Sequence, residues 1–198
     1  MMKPFLKKLL GFIVICFGPF FILLLGGYLY FDPFKVLYNY NITSQQANKL
    51  PFIYKNRDYV STELFIKNYP RYKYNAFIFG SSRSLSFQPD SWKKHLQQQD
   101  VPFAFDAGAE SVYGIYTKLK YLDEKKVKID KALIILCRDW SFQHDGNHRG
   151  HLFIKDPAVS GESKLLFQYE FLDAYLDKNF LKAFYNYKLT HKFKKWMT

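Results

Sequence analysis

Only two cysteines occur in the 198 residues, Cys16 and Cys137. Cys16 lies in a long apolar run and Cys137 at the end of a strand-like one, so the two cannot pair. A disulfide scaffold is excluded, and no Cys-x-x-Cys spacing marks a metal or redox motif. Glycine is scarce, with 10 residues. Neither G-x-G-x-x-G nor a Walker A pattern is present, so nucleotide binding has no motif behind it. Acidic residues are few, 17 against 29 Lys and Arg, which leaves a net charge of +12. Aromatic residues abound, with 21 Phe, 16 Tyr and 3 Trp, and 48% of the chain is hydrophobic. A disordered chain lacks that much apolar surface, so the chain folds.

From Leu9 to Phe31 no residue is charged. A helix of that length extends about 35 Å, enough to cross a hydrocarbon core about 30 Å thick. Pro19 and the glycines are tolerated in such a span, and Tyr28 and Tyr30 suit the interfacial aromatic belt. Lys3, Lys7 and Lys8 precede the run, whereas Lys35 is the only basic residue in 32–46. That asymmetry favours a single-pass anchor with its N-terminus inside and the remaining chain extracytoplasmic. A cleaved signal peptide has a shorter apolar core and a small-residue cleavage site, and neither is evident here. The buried helix of a soluble protein is the third reading.

Beyond the anchor, Ala76-Phe77-Ile78-Phe79, 101–105 and Ala132–Cys137 are short apolar runs of strand length. Between them the pattern is helical. Pro89-Asp90-Ser91 opens a helix through about Gln98, with Asp90 or Ser91 as cap. After Ser111, apolar Val112, Ile115, Tyr116, Leu119 and Leu122 form a stripe that leaves Lys118, Lys120 and Glu124 on the other side. A further helix is expected near Val60–Asn68. After Gly161 two more are expected, near Glu162–Leu176 and Asn179–Trp196. Strands alternating with helices predict a parallel sheet covered by helices. The expected division is a cytoplasmic tail (1–8), a transmembrane anchor (9–31), a lead-in (32–72), an α/β core (73–160) and a basic helical C-terminal region (161–198). Asn41-Ile42-Thr43 matches a glycosylation sequon, a triplet common by chance.

Ligands of open parallel sheets bind beyond the carboxyl ends of the strands. That directs attention to Gly80–Ser84, Asp106–Ser111 and Arg138–Ser141. In Gly80-Ser81-Ser82-Arg83-Ser84 the glycine permits a tight turn, and hydroxyls follow where backbone N–H groups become free. A serine here can be a nucleophile whose oxyanion is held by N–H groups, or simply the cap of the next helix.

Phe77 to Ser84 resembles the first block of the SGNH (GDSL-like) hydrolases. The likeness is to the membrane-anchored branch associated with cell-envelope O-acylation. In that alignment Ser82 takes the nucleophile's place. Phe105 to Ser111 resembles the second block, where Gly108 matches the glycine whose N–H joins the oxyanion hole. Asp106 stands where an Asn often begins that block. Leu136 to Trp140 resembles the end of the third strand, without the family's Gly-x-Asn-Asp. The resemblance covers about 59–153. It implies a flavodoxin-like three-layer α/β domain acting as an acyl (acetyl) transferase or esterase on envelope polysaccharide. It also implies a membrane-bound O-acyltransferase as partner.

The family's general base is a histidine preceded by an Asp three residues earlier, close to the family's C-terminus. Here one Asp-x-x-His occurs, Asp145 to His148, in a polar loop directly after the third strand. It is a candidate base pair, a cleft-shaping loop or a surface turn. His144 and His151 lie near it, but no ligand spacing indicates a metal site, and no cofactor is expected. The strand pattern stops near Cys137, so the expected domain is incomplete, truncated at its C-terminal side. The rival function is a non-catalytic, anchored glycan-binding or complex-assembly protein on a decayed hydrolase fold.

From Lys178 onward stand Lys178, Lys182, Lys188, Lys192, Lys194 and Lys195, with no acidic residue. Outside a membrane this surplus points to anionic lipid headgroups or acidic glycans rather than nucleic acid. A solvated helix face is the plain alternative.

Overall fold

The computed structural model describes residues 2–38, 56–139, 141–143 and 150–192. The chain forms two units, Met1–Tyr40 and Asn41–Thr198.

The first unit is the helix α1, Met2–Phe31, which runs unbroken through Pro19. Its stretch Phe5–Phe31 is long and apolar enough to cross a membrane. The helix begins earlier than the charge-free run, because Lys7 and Lys8 continue the helical backbone. It ends at Asp32, which turns to a positive φ of 38°. The Asp32 carboxylate accepts hydrogen bonds from the N–H groups of Val36 and Leu37, at 3.0 Å each. An aspartate suits this stop because its short side chain bonds the local backbone and tolerates the left-handed region.

The second unit is an α/β domain. It begins with α2, Arg57–Tyr72. The strand β1, Ala76–Gly80, leads into a 3₁₀ turn, Ser82–Ser86, and the short helix α3, Pro89–Lys93. Next come β2, Pro102–Ala104, then α4, Val112–Glu124, then β3, Lys131–Ile135. Three helices follow: α5, Pro157–Ser160, α6, Lys164–Leu176, and α7, Lys178–Thr190.

The three strands form one parallel sheet in the order β2-β1-β3. Phe77 pairs with Phe103 and Ala132, and Phe79 pairs with Ile134. Every residue of β1 is buried, as befits a central strand covered on both faces. Phe77 and Phe79 point to the core face. There they meet Phe65 of α2, Phe105, and Ile115, Tyr121 and Leu122 of α4. Phe65 stacks on Phe105 with ring centroids 5.5 Å apart. Each such buried ring contributes about 2–3 kcal/mol by removal from water.

At the amino end of the sheet Asn75 joins all three strands. Its Oδ1 accepts from Val101 N at 2.7 Å, and its Nδ2 donates to Asp130 Oδ2 at 2.9 Å. Lys131 closes the cluster by pairing with Asp100.

Several sequence expectations shift. The helix expected over 60–68 is α2, longer at both ends. Asn56 caps it, its Oδ1 accepting from Tyr59 N at 3.0 Å. Phe65 makes α2 part of the core layer rather than a lead-in. The helix expected to reach Gln98 stops at Lys93. Its cap is Gln88 rather than Asp90 or Ser91, with Pro89 at the first helical position. Cys137 is buried but lies two residues past β3. Lys118, expected on the open face of α4, has no solvent exposure at all. Two buried carboxylates hold it there, as described below. The sequon at Asn41 lies outside the described residues.

Candidate functional site

The chain passes from β1 to β2 on one side and later to β3 on the other. The carboxyl ends of β1 and β3 therefore flank the point where strand order reverses, the usual ligand crevice of open parallel sheets. Gly80 ends β1 there with φ +152°. A Cβ on Gly80 would stand 2.7 Å from the Ile135 carbonyl oxygen and 3.1 Å from Ile135 Cβ. Only glycine lets β1 and β3 approach this closely at this backbone angle.

The chain then turns sharply. Ser84 N donates to the Ser81 carbonyl at 2.9 Å, and Ser84 Oγ donates to the same oxygen at 2.7 Å. These two hydrogen bonds to the Ser81 carbonyl fix the 3₁₀ turn, in which both serines are buried. Ser81 is fully buried, and its Oγ has no hydrogen-bond partner among the described residues. Ser82, between them, is exposed. Of the hydroxyls in Gly80–Ser84, it alone combines the first position of the turn with access to solvent.

The second segment is held alongside. Phe105 N donates to Ile78 O at 2.8 Å and Ala107 N to Gly80 O at 3.2 Å, which extends the β1–β2 pairing past the strand proper. That extension places Asp106 beside the turn, and Ser84 Oγ lies 3.4 Å from Asp106 Oδ2. Arg57, the first residue of α2, forms a buried ion pair with the same carboxylate oxygen. Burial lowers the Arg57 pKa to about 10. Ser61 Oγ donates to the Asp106 backbone carbonyl at 2.9 Å. Asp106 is thus a structural anchor for the serine turn. Gly108 follows, half-buried, and Ala109 adopts a φ of +45°. An alanine side chain at Gly108 would keep 3.6 Å from Leu152 O and from the Phe153 ring. Space therefore does not require glycine there.

The third segment leaves β3 through a closed turn. Cys137 N donates to Ser141 Oγ at 2.7 Å, and Ser141 N donates back to Cys137 O at 2.9 Å. Ser141 O in turn accepts from Val112 N at 2.8 Å, tying this turn to the start of α4. Arg138 and Asp139 are exposed. The candidate pair Asp145 and His148, together with His144, lies outside the described residues. His151 is described and half-buried. Its ring meets Phe180 at 5.0 Å, and its carbonyl accepts from Asn56 Nδ2 at 2.8 Å. These contacts give His151 a packing role. His95 and His191 are exposed. Among the described residues, no group of three or more His, Cys, Asp or Glu is placed to hold a metal ion.

Behind the serine turn lies a cluster that sequence reasoning missed. Lys118 Nζ is 3.1 Å from Asp58 Oδ1 and 2.5 Å from Glu110 Oε2. Lys155 Nζ is 2.9 Å from Asp58 Oδ2 and 3.1 Å from Glu110 Oε1. Two carboxylates and two ammoniums alternate, so the cluster is neutral. Burial opposes ionisation of Asp58, but Lys118 and Lys155 outweigh it and hold its carboxyl below the ordinary range. Burial likewise works against the charge of Lys155, yet Asp58 and Glu110 raise its pKa. The signal in the sequence was Gly114, a glycine inside an otherwise helical stripe. A Cβ there would fall 1.8 Å from Glu110 Oε1 and 2.7 Å from Lys155 Nζ.

No protein family, curated protein or solved structure matches this chain.

Proposed function

We propose that the second unit is a membrane-tethered, extracytoplasmic acyl (acetyl) transferase or esterase of the SGNH type, acting on envelope polysaccharide. The observation that carries this reading is the position of Ser82. It is exposed, at the carboxyl end of the central strand and at the reversal of strand order. The order 2-1-3 is also how a flavodoxin-like sheet begins, which supports that fold for the domain. In the proposed reaction Ser82 Oγ attacks the carbonyl carbon of an acyl ester and passes its proton to a base. Backbone N–H groups at the start of the turn and at Gly108 hold the oxyanion. The ester's alcohol leaves with a proton, and water or a sugar hydroxyl then takes the acyl group from Ser82. The base belongs to the proposal as Asp145 and His148, and the acyl donor would come from a membrane-bound O-acyltransferase.

The test is covalent labelling of the full chain by a serine-reactive phosphonate, together with esterase turnover. Labelling at Ser82 that vanishes in Ser82→Ala supports the proposal. Labelling that persists unchanged in Ser82→Ala overturns the assignment of Ser82.

A second reading rests on the site's hydrogen bonding. Among the described residues no histidine is bonded to Ser82, and the Asp106 carboxylate is committed to Arg57 and Ser84. On that reading the domain binds acidic glycan without turning it over. It predicts no turnover with any acyl donor, and salt-sensitive glycan binding.

A further inference from the structure

The helix α7 has two unlike faces. Phe180, Ala183 and Phe184 are buried, and Phe180 and Phe184 pack on Tyr175 of α6. At 100° per residue these three define the inward side. Lys178, Lys182 and Leu189 follow at i, i+4 and i+11, so they share the opposite side, while half-buried Tyr185 of the same row turns its hydroxyl back to Tyr175 at 2.7 Å. Lys178, Lys182 and Leu189 are exposed, as are Lys188 and Lys192. Leu189 is 83% exposed and stands between Lys188 and Lys192 in the chain. No acidic residue interrupts the series, and Asp177 is consumed as the N-cap, accepting from Asn179 N and Phe180 N.

Leu189 in water among lysines is an apolar group that a lipid interface can take up. A basic helical face with an apolar residue near its C-terminal end suits an anionic lipid surface. The ammoniums meet phosphates, their stems lie along the acyl boundary, and the leucine leaves water. The chain also carries a helix long and apolar enough to span a membrane. A covalent tether to the bilayer raises the effective concentration of lipid, so a few lysines suffice where a free domain would need more. Soluble acidic glycan matches the charge but offers Leu189 no apolar phase.

We infer that the outward face of α7 docks on anionic phospholipid, with Lys178 and Lys182 contacting headgroups, Lys188 at the flank of that face, its Nζ 5.6 Å from the Phe184 ring, and Leu189 entering the interface. This holds on either side of the membrane and needs no chemistry at Ser82. Its failure is therefore separate from that of the proposed activity.

The experiment uses the full chain in lipid nanodiscs, either phosphatidylcholine alone or with phosphatidylglycerol, and reads amide hydrogen exchange across Lys178–Thr190. The expected result is exchange in α7 slowed about tenfold by the anionic lipid. The slowing disappears at about 0.5 M salt, where the Debye length falls to a few ångströms. It also disappears in Lys178→Gln/Lys182→Gln/Lys188→Gln, whose exposed positions leave the fold intact. Leu189→Ser keeps the charge and weakens the protection. Equal exchange in neutral and anionic discs overturns the inference. So does protection by a soluble acidic polysaccharide in neutral discs with none from anionic lipid.

Discussion

Lys118 Nζ lies 3.1 Å from Asp58 Oδ1, linking the middle of α4 to the first turn of α2 beneath the carboxyl end of the sheet. Neither side chain has access to water worth counting, and each meets an opposite charge on the other. Removing one partner of such a pair leaves an uncompensated buried charge, which costs about 3–5 kcal/mol. Lys118→Met is therefore expected to lower stability by about that amount in chemical denaturation of the full chain in detergent. The acid limb should change as well. Asp58 has a depressed folded pKa, so its contribution is present above its unfolded pKa near 4 and is lost as pH falls. Without Lys118 the fall in stability on acidification should be shallower than in the parent. A parent-like stability in Lys118→Met would show that the cluster does not hold the two helices together.

Gly114 tests the same cluster from the other side. Alanine is the better helix former by about 1 kcal/mol, so an exposed site would gain from the change. Here the new Cβ would fall on Glu110 Oε1 and crowd Lys155 Nζ. The carboxylate can move, but only by leaving the two ammoniums it satisfies. Gly114→Ala is expected to destabilise by about 2–3 kcal/mol, the loss of buried pairing exceeding the helix gain. Gly108→Ala, with 3.6 Å of clearance, should change stability by less than about 0.5 kcal/mol. Thermal melts of the two variants side by side give the comparison, and equal shifts would contradict it.

The sheet was the most legible part of the sequence, because apolar runs such as Phe77–Phe79 and Leu133–Ile135 carry their own period and length. The serine turn was legible as a place, since Gly80 closes the first run and hydroxyls follow it. Its inner wiring was not. Which serine is buried depends on the bond from Ser84 to the Ser81 carbonyl, and Asp106 reaches Ser84 through a pairing 22 residues away in sequence. The ionic cluster was hidden for a related reason. Lys118 and Glu110 belong to one region, but Asp58 and Lys155 come from distant ones, and a lysine on a helix reads as exposed until its partners are known.

Asp156 gives a pH signature of the opposite sign. It caps α5, accepting from Ala158 N at 2.8 Å, and it is buried. Burial raises its pKa to about 6, with Glu63 and Asp58 adding to the rise against that hydrogen bond. The folded value exceeds the unfolded one, so the native state binds more protons between about pH 4 and pH 6. Stability is then lost as pH rises through that window, by at most about 3 kcal/mol. Asp156→Asn keeps the cap and removes the charge. It is expected to be more stable than the parent at pH 7.5, with the two converging below about pH 4. Denaturation midpoints across this range would decide the matter, and a variant weaker than the parent at pH 7.5 would refute it.

The outer edge of the sheet supplies the last prediction. Among the described residues β3 has β1 on one side and no strand on the other. Ile134 pairs in register with Phe79, so both point to the same face. Yet Phe79 is fully buried, while Ile134 is 46% exposed and Leu136 beyond it is exposed too. An apolar edge strand with free N–H and C=O groups invites pairing with another chain, and a lysine at such an edge discourages it. The full chain in detergent is therefore expected to associate with rising concentration, and Ile134→Lys to reduce that association. Because Ile134 already meets solvent, its lysine can reach water, and the stability cost should stay within about 1 kcal/mol. Phe79→Lys makes the same change on the same row one strand inward, where no route to water exists, and it should unfold the domain. Sedimentation velocity measures the association, and circular dichroism separates the two variants. Undiminished association in Ile134→Lys would show that β3 is not the contact.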